Sequence, residues 1–154
     1  MAHAGTATMA ALDEQTARTN RGKAPCSVAL IDLDHFKRVN DEFGHPTGDE
    51  TLRTVAITLF ANIGSIDKLG RCGGEEFLLI LWETTPDAAK KALDRLRAIV
   101  SELDWTAISS GMTVTMSVGV SGIREGDSPD LVLARADAAL YRAKAASRNR
   151  VLVG

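Results

Sequence analysis

Asp32 ends the apolar run SVALIDL (27–33), and Glu75-Glu76 follow directly on Gly73-Gly74. An acid at the carboxyl tip of a buried run sits where the strands of an open α/β sheet commonly meet a ligand. Two acids beside glycines leave room for a group to approach the backbone. No His or Cys partners these carboxylates at ligand spacing, which favours Mg²⁺ over zinc. Mg²⁺ held by one or two carboxylates usually shares its shell with phosphate oxygens, so the pattern points to nucleotide chemistry. Charge distribution agrees. Residues 32–50 carry six acids and two bases, net −4, whereas residues 131–154 carry five bases and one acid, net +4. One segment suits cations and the other anions, although solvated helix faces with i,i+4 pairs account for most of these charges.

Other chemistries are excluded by motif. There is no GxxxxGK[ST] loop, no GxGxxG after the first apolar run, and no Ser-His-Asp constellation. His3, His35 and His45 are not spaced as a metal site.

The elements that must position these residues alternate. Helical spacing covers 12–21, and 27–33 reads as a buried strand. Phe36, Val39 and Phe43 mark a helix broken at Gly44-His45-Pro46, and Leu52, Val55, Ala56 and Leu59 mark another with Gly64 near its end. Segments 68–72 and 77–82 flank Gly73-Gly74, the signal of a two-residue hairpin. Pro86 opens a helix through Val100, 112–120 alternates like a strand, Pro129 opens a last helix to Ala146, and 151–153 closes as a strand. The order β-α-α-β-β-α-β-α-β predicts an α/β (α+β) fold with a central mixed sheet surrounded by helices.

At 154 residues and net charge −2 the chain is one domain of ordinary globular composition, with a pI near 5.9. A duplex-binding coat needs a basic excess, so no nucleic acid is expected as partner. Two cysteines make no disulfide framework and indicate a reducing cytoplasm. No apolar run approaches the roughly 18 residues of a membrane span, so no membrane contact is expected. Residues 1–11 are small and polar and read as a frayed segment before a domain over 12–154.

The stretch Arg71-Cys72-Gly73-Gly74-Glu75-Glu76-Phe77 carries a signature. With 32–41 (DLDHFKRVND), Phe43-Gly44-His45, Gly48-Asp49-Glu50, 114–120 (VTMSVGV), 136–144 (ADAALYRAK) and Arg148-Asn149, the chain resembles the GGDEF family, the diguanylate cyclases, in its GGEEF form. The resemblance implies a fold like the nucleotidyl cyclases and the polymerase palm, with a β-hairpin carrying the signature. It implies condensation of two GTP into cyclic di-GMP and two pyrophosphates by a transient homodimer in bacterial second-messenger signalling. By the same resemblance Asp32, Glu75 and the Leu33 carbonyl hold Mg²⁺ (or Mn²⁺), and Glu76 activates the 3′-hydroxyl or assists the metal. Asn40, Asp49 and Leu52 form the guanine pocket, while Phe36, Lys37, Lys144 and Arg148 serve the phosphates.

Structural readings compete residue by residue. Asp32, Asn40 and Asp49 suit caps and turns, and Lys144 and Arg148 suit a helix C-terminus. Phe36, Phe77, Leu140 and Tyr141 suit the core. The chain also departs from the family. Residues 1–24 do not carry the complete D-x-L-T-x-L-x-N-R stretch that helps close the nucleotide pocket in the family. That leaves an alternative: a GTP- or cyclic-di-GMP-binding module with little or no turnover. The inhibitory RxxD product site is incomplete, with Asp67 present and Gly64 at the Arg position, so strong product inhibition is not expected. Cys72 stands where the family commonly has an aromatic and Ser147 where it commonly has Gly, replacements expected to be tolerated, with Cys72 a candidate reactive thiol beside the glycines. A regulatory or sensory domain belonging to a longer protein is expected as partner.

Overall fold

The computed structural model describes residues 6–20, 24–64 and 67–154. Along the chain run α1 (Thr6–Asn20), β1 (Cys26–Leu33), α2 (Phe36–Phe43), α3 (His45–Ala61), β2 (Lys68–Arg71), β3 (Glu76–Trp82), α4 (Pro86–Glu102), a 3-10 turn (Trp105–Ala107), β4 (Met116–Gly122), α5 (Pro129–Ala145) and β5 (Val151–Val153). The strands make one mixed sheet in the order β2-β3-β1-β4-β5. β1 is antiparallel to β3 and β4, β2 is antiparallel to β3, and β5 runs parallel to β4.

Period-two alternation sends β1 side chains to two cores. Ala29, Ile31 and Leu33 join residues of α2, α3 and α4, whereas Val28 and Leu30 face Leu12 of α1 and Val132, Leu133, Ala136 and Leu140 of α5. Buried on both faces, the strand reads as a continuous apolar run. Each large aliphatic group taken from water in this way contributes roughly 1.5–3 kcal/mol. α4 and α5 start cleanly because Thr85 and Ser128 accept the amides of Ala88 and Leu131, each followed by proline at the first helical position. Gly119 lets α5 lie directly on β4. A Cβ there would come within 2.1 Å of the Ala136 carbonyl and 2.3 Å of the Leu140 amide.

Four expectations shift. α1 begins at Thr6 rather than residue 12, because Thr8 and Ala11 are buried with Leu12, and Thr8 packs onto Gly70 of β2; residues 1–5 and Arg21 lie outside the described residues. Gly73-Gly74 is not a two-residue turn: Gly73, Gly74 and Glu75 form the bend, closed by the Cys72 amide on the Glu76 carbonyl at 3.0 Å. β4 starts at Met116 instead of 112, since Met112 and Val114 are buried in the core from irregular chain rather than from a strand. Tyr141 is 74% exposed, one residue round the helix from buried Leu140, while Phe36 and Phe77 are core as expected.

Candidate active site

The pleat that buries Val28 and Leu30 carries Asp32 to the same face at the carboxyl end of β1. There α5 supplies Lys144 from its last turn, and the Lys144 ammonium contacts Asp32 Oδ2. The β1–β3 register sets Glu76 directly opposite Asp32, so the two acids share a face. The bend carrying Glu75 is tied down twice. Its Glu75 carbonyl accepts the Leu33 amide at 3.2 Å, and Arg71 Nη2 donates to the Gly74 carbonyl at 2.5 Å.

Asp32, Leu33, Phe36, Lys37, Glu75, Lys144 and Arg148 line one pocket of about 170 Å³, together with Asp34 and His35. The structure thus gathers every expected metal and phosphate residue, although Phe36 is mostly packed into the core. Asp49 and Leu52 line a second hollow with Arg53, Ala56 and Arg71. Arg71, holding Gly74, connects that hollow to the signature bend. Asn40 stands apart from both linings. Its Oδ1 lies over Gly48, where a Cβ would approach to 1.9 Å, so it joins α2 to α3 beside Asp49. Sequence reasoning missed Arg71 and Asp34 as contributors; both lie within the motif blocks, which was the available signal.

Burial pushes the Asp32 carboxyl above the usual carboxylate range, against the pull of Lys144 and with further upward pressure from Glu75 and Asp34. Burial also raises Glu76, reinforced by Asp32, Asp137 and Glu75 and opposed by Lys144. Cys72 is not an activated thiol: it is buried and pushed up to about 11 by desolvation and by Glu76, Asp32 and Asp137. Asp67, at the expected product site, is engaged locally. Its carboxylate accepts the Gly64 amide at 3.0 Å and the Trp82 amide at 3.3 Å.

The donor set suits a hard divalent cation. Among the described residues Asp32 Oδ1 is buried and meets no donor, while a cation already sits at Oδ2. No group of three or more Asp, Glu, His or Cys side chains among the described residues can hold a metal alone. Two carboxylates, a backbone carbonyl, bound phosphate oxygens and water would together complete an octahedral Mg²⁺ shell.

The model of the family described as "Diguanylate cyclase, GGDEF domain" matches residues 6–150. The chain is 43% identical over 144 residues to the response regulator PleD of Caulobacter vibrioides, covering 92% of this chain and 32% of that protein. It is 37% identical over 142 residues to the diguanylate cyclase DgcP of Pseudomonas aeruginosa, covering 92% and 21%. The chain therefore spans about a third or less of these relatives. Among solved structures, the active GGEEF domain of a Vibrio cholerae diguanylate cyclase superposes with TM-score 0.91 at 32% identity, covering 99% of this chain and 97% of that one. The GGDEF domain of DgcB from Caulobacter crescentus, in complex with c-di-GMP, gives TM-score 0.87 at 33% identity, covering 94% and 86%. No described helix is long and apolar enough to cross a membrane.

Proposed function

We propose, from the premise that this chain belongs to the GGDEF family of diguanylate cyclases, that it condenses two GTP into cyclic di-GMP. The observation that carries the reading is the single pocket holding Asp32, Leu33, Glu75, Lys144 and Arg148. Each of two facing domains holds one GTP. Two bonds form, each from a 3′-hydroxyl oxygen to an α-phosphorus, and each displaces one pyrophosphate. Lys37, Lys144 and Arg148 grip the phosphates as charge-assisted donors. Asp49 accepts from the guanine ring N–H and amino group, and Asn40 donates and accepts, an edge adenine does not offer. Leu52 lines the base pocket. Glu76, raised in proton affinity by its setting, is suited to take the hydroxyl proton. Family members are typically metal-dependent. Asp32, Glu75 and the Leu33 carbonyl would hold Mg²⁺ or Mn²⁺, which when bound would neutralise charge developing on the leaving pyrophosphate.

The domain acts as a transient homodimer within a longer, regulated protein. Product feedback through Gly64 and Asp67 is weak, because the guanidinium is missing and the carboxylate is engaged by two amides. Incubation with GTP and Mg²⁺ across a protein concentration series tests the reading. Cyclic di-GMP should form at a rate per domain that rises with concentration. Asp13, Thr16, Asn20 and Arg21 stand at the spacing of the D-x-L-T-x-L-x-N-R stretch, with Gln15 and Arg18 at its two leucine positions. The loss of those leucines favours a second reading, a binding module, which cyclic di-GMP binding with no product at any concentration would select.

A further inference from the structure

We propose that Asp34 is a positioning residue that holds Arg148 at the phosphates by anchoring the turn between α5 and β5. The inference rests on the phosphate role given to Arg148 above. Asp34 lines the same pocket as Asp32 and is equally buried, yet its carboxylate is fully engaged. Oδ1 accepts the Ser117 hydroxyl at 2.6 Å, and Oδ2 accepts the Thr115 hydroxyl at 2.7 Å and the Asn149 amide at 3.0 Å. Its own amide donates to the Thr115 carbonyl at 2.9 Å. Asp34 is thereby locked to the start of β4 and reaches from there to the turn.

That turn does not support itself. Ser147, Arg148 and Asn149 have φ of 82°, 62° and 46°, three successive non-glycine residues in the left-handed region. L-residues disfavour that region, and such a conformation persists only where its surroundings over-determine it. The restraints include the Arg148 amide on the Ala143 carbonyl at 3.0 Å, Arg150 Nε on the Arg148 carbonyl at 3.0 Å, Arg97 Nη1 on Asn149 Oδ1 at 2.9 Å, and the Asn149 amide on Asp34. The last is the restraint that comes from the pocket wall itself. Arg148 is the central residue of the turn, and its backbone direction decides whether the guanidinium meets the pocket.

Asparagine at position 34 can still accept the Asn149 amide through its carbonyl oxygen and donate to Ser117, whereas alanine leaves the amide unheld. A field effect of the carboxylate would instead be lost in both variants. The experiment is a double-mutant cycle on binding of a non-hydrolysable GTP analogue with Mg²⁺. Arg148→Ala should weaken binding about tenfold, the scale of one charge-assisted hydrogen bond. Asp34→Ala should weaken it by a similar factor, Asp34→Asn should retain most of the affinity, and Asp34→Ala should add nothing in the Arg148→Ala background. If Arg148→Ala changes nothing, the phosphate reading of Arg148 falls. If Arg148→Ala weakens binding but Asp34→Ala does not, or the two losses multiply, or Asn behaves as Ala, the positioning role alone is overturned. Should Asp34→Ala fail to fold, Ser117→Ala carries the same cycle. It strips the donor from Oδ1 and leaves the carboxylate held through Oδ2 alone, so a smaller loss that vanishes with Arg148→Ala is expected, and a loss that persists in that background overturns the role.

Discussion

The Lys144 ammonium sits on Oδ2 of Asp32 while Oδ1 of the same buried carboxylate meets no donor among the described residues. A cation thus occupies half of the carboxylate proposed to hold the metal. The same lysine is proposed to grip phosphate, so arrival of a metal–nucleotide pair exchanges its partner rather than stranding it.

Lys144→Met should therefore act in two directions. It removes the competitor for Asp32, and Mn²⁺ without nucleotide should bind about tenfold tighter, the scale of one charge-assisted contact. It also removes a phosphate cation, and GTP should bind more weakly. Titration of Mn²⁺ by electron paramagnetic resonance reads the first effect. Working at pH 8 keeps the unpaired carboxylate ionised, since metal competes with protons for it. Unchanged or weaker Mn²⁺ binding would show that the contact does not oppose metal.

The acids also carry a stability cost with a defined sign. Glu76 has its folded proton affinity raised above the ordinary glutamate value of 4.5, first by burial and then by Asp32, Asp137 and Glu75, with Lys144 opposing. Between the unfolded and the raised folded pKa the native state binds more protons than the unfolded state, so this residue's contribution to stability falls as pH rises through that window. Glu76→Gln removes the titration. The variant should melt above the unaltered chain at pH 7, with the gap closing as pH falls toward 4.5, while turnover drops sharply. Thermal melts across that pH range decide it, and a gap that widens on acidification would reverse the argument.

How far the sequence reveals the molecule depends on the range of the interactions involved. β1 was legible because a strand covered on both faces leaves an unbroken apolar run, and Asp32 interrupts that run with a charge while still buried. α4 and α5 were legible from Pro86 and Pro129 and from the spacing of Leu93, Leu96, Leu133 and Leu140. The start of β4 was not. Met112 and Val114 are buried as a strand would bury them, and pattern alone does not distinguish a buried irregular segment from a ladder. α1 was read too short because Thr8 is buried by its contact with Gly70, far away in sequence. The residues proposed to hold metal and phosphate were picked out through resemblance, and the structure brings them to one pocket. The engagement of Asp34 by Thr115, Ser117 and Asn149 spans 81 to 115 residues of chain and leaves no local trace.

Ser147 shows where a residue that resemblance marks as tolerated still carries strain. It stands at φ 82°, and its side chain is exposed. A Cβ in the left-handed region costs roughly 1–2 kcal/mol, whereas glycine adopts it freely. Glycine also loosens the unfolded chain, which returns about 0.4–1 kcal/mol of that gain. Ser147→Gly should therefore stabilise the domain by about 0.5–1 kcal/mol and raise Tm by about 2 °C at this chain length. Arg148 and Asn149 remain left-handed and Asp34 remains bonded, so affinity for the GTP analogue should stay within about twofold, a shift well under 1 kcal/mol. Calorimetric melting together with the analogue titration checks both. A lower Tm would mean that the serine supports the turn, and a large loss of affinity would mean that its stiffness, as well as its anchor, holds Arg148 in place.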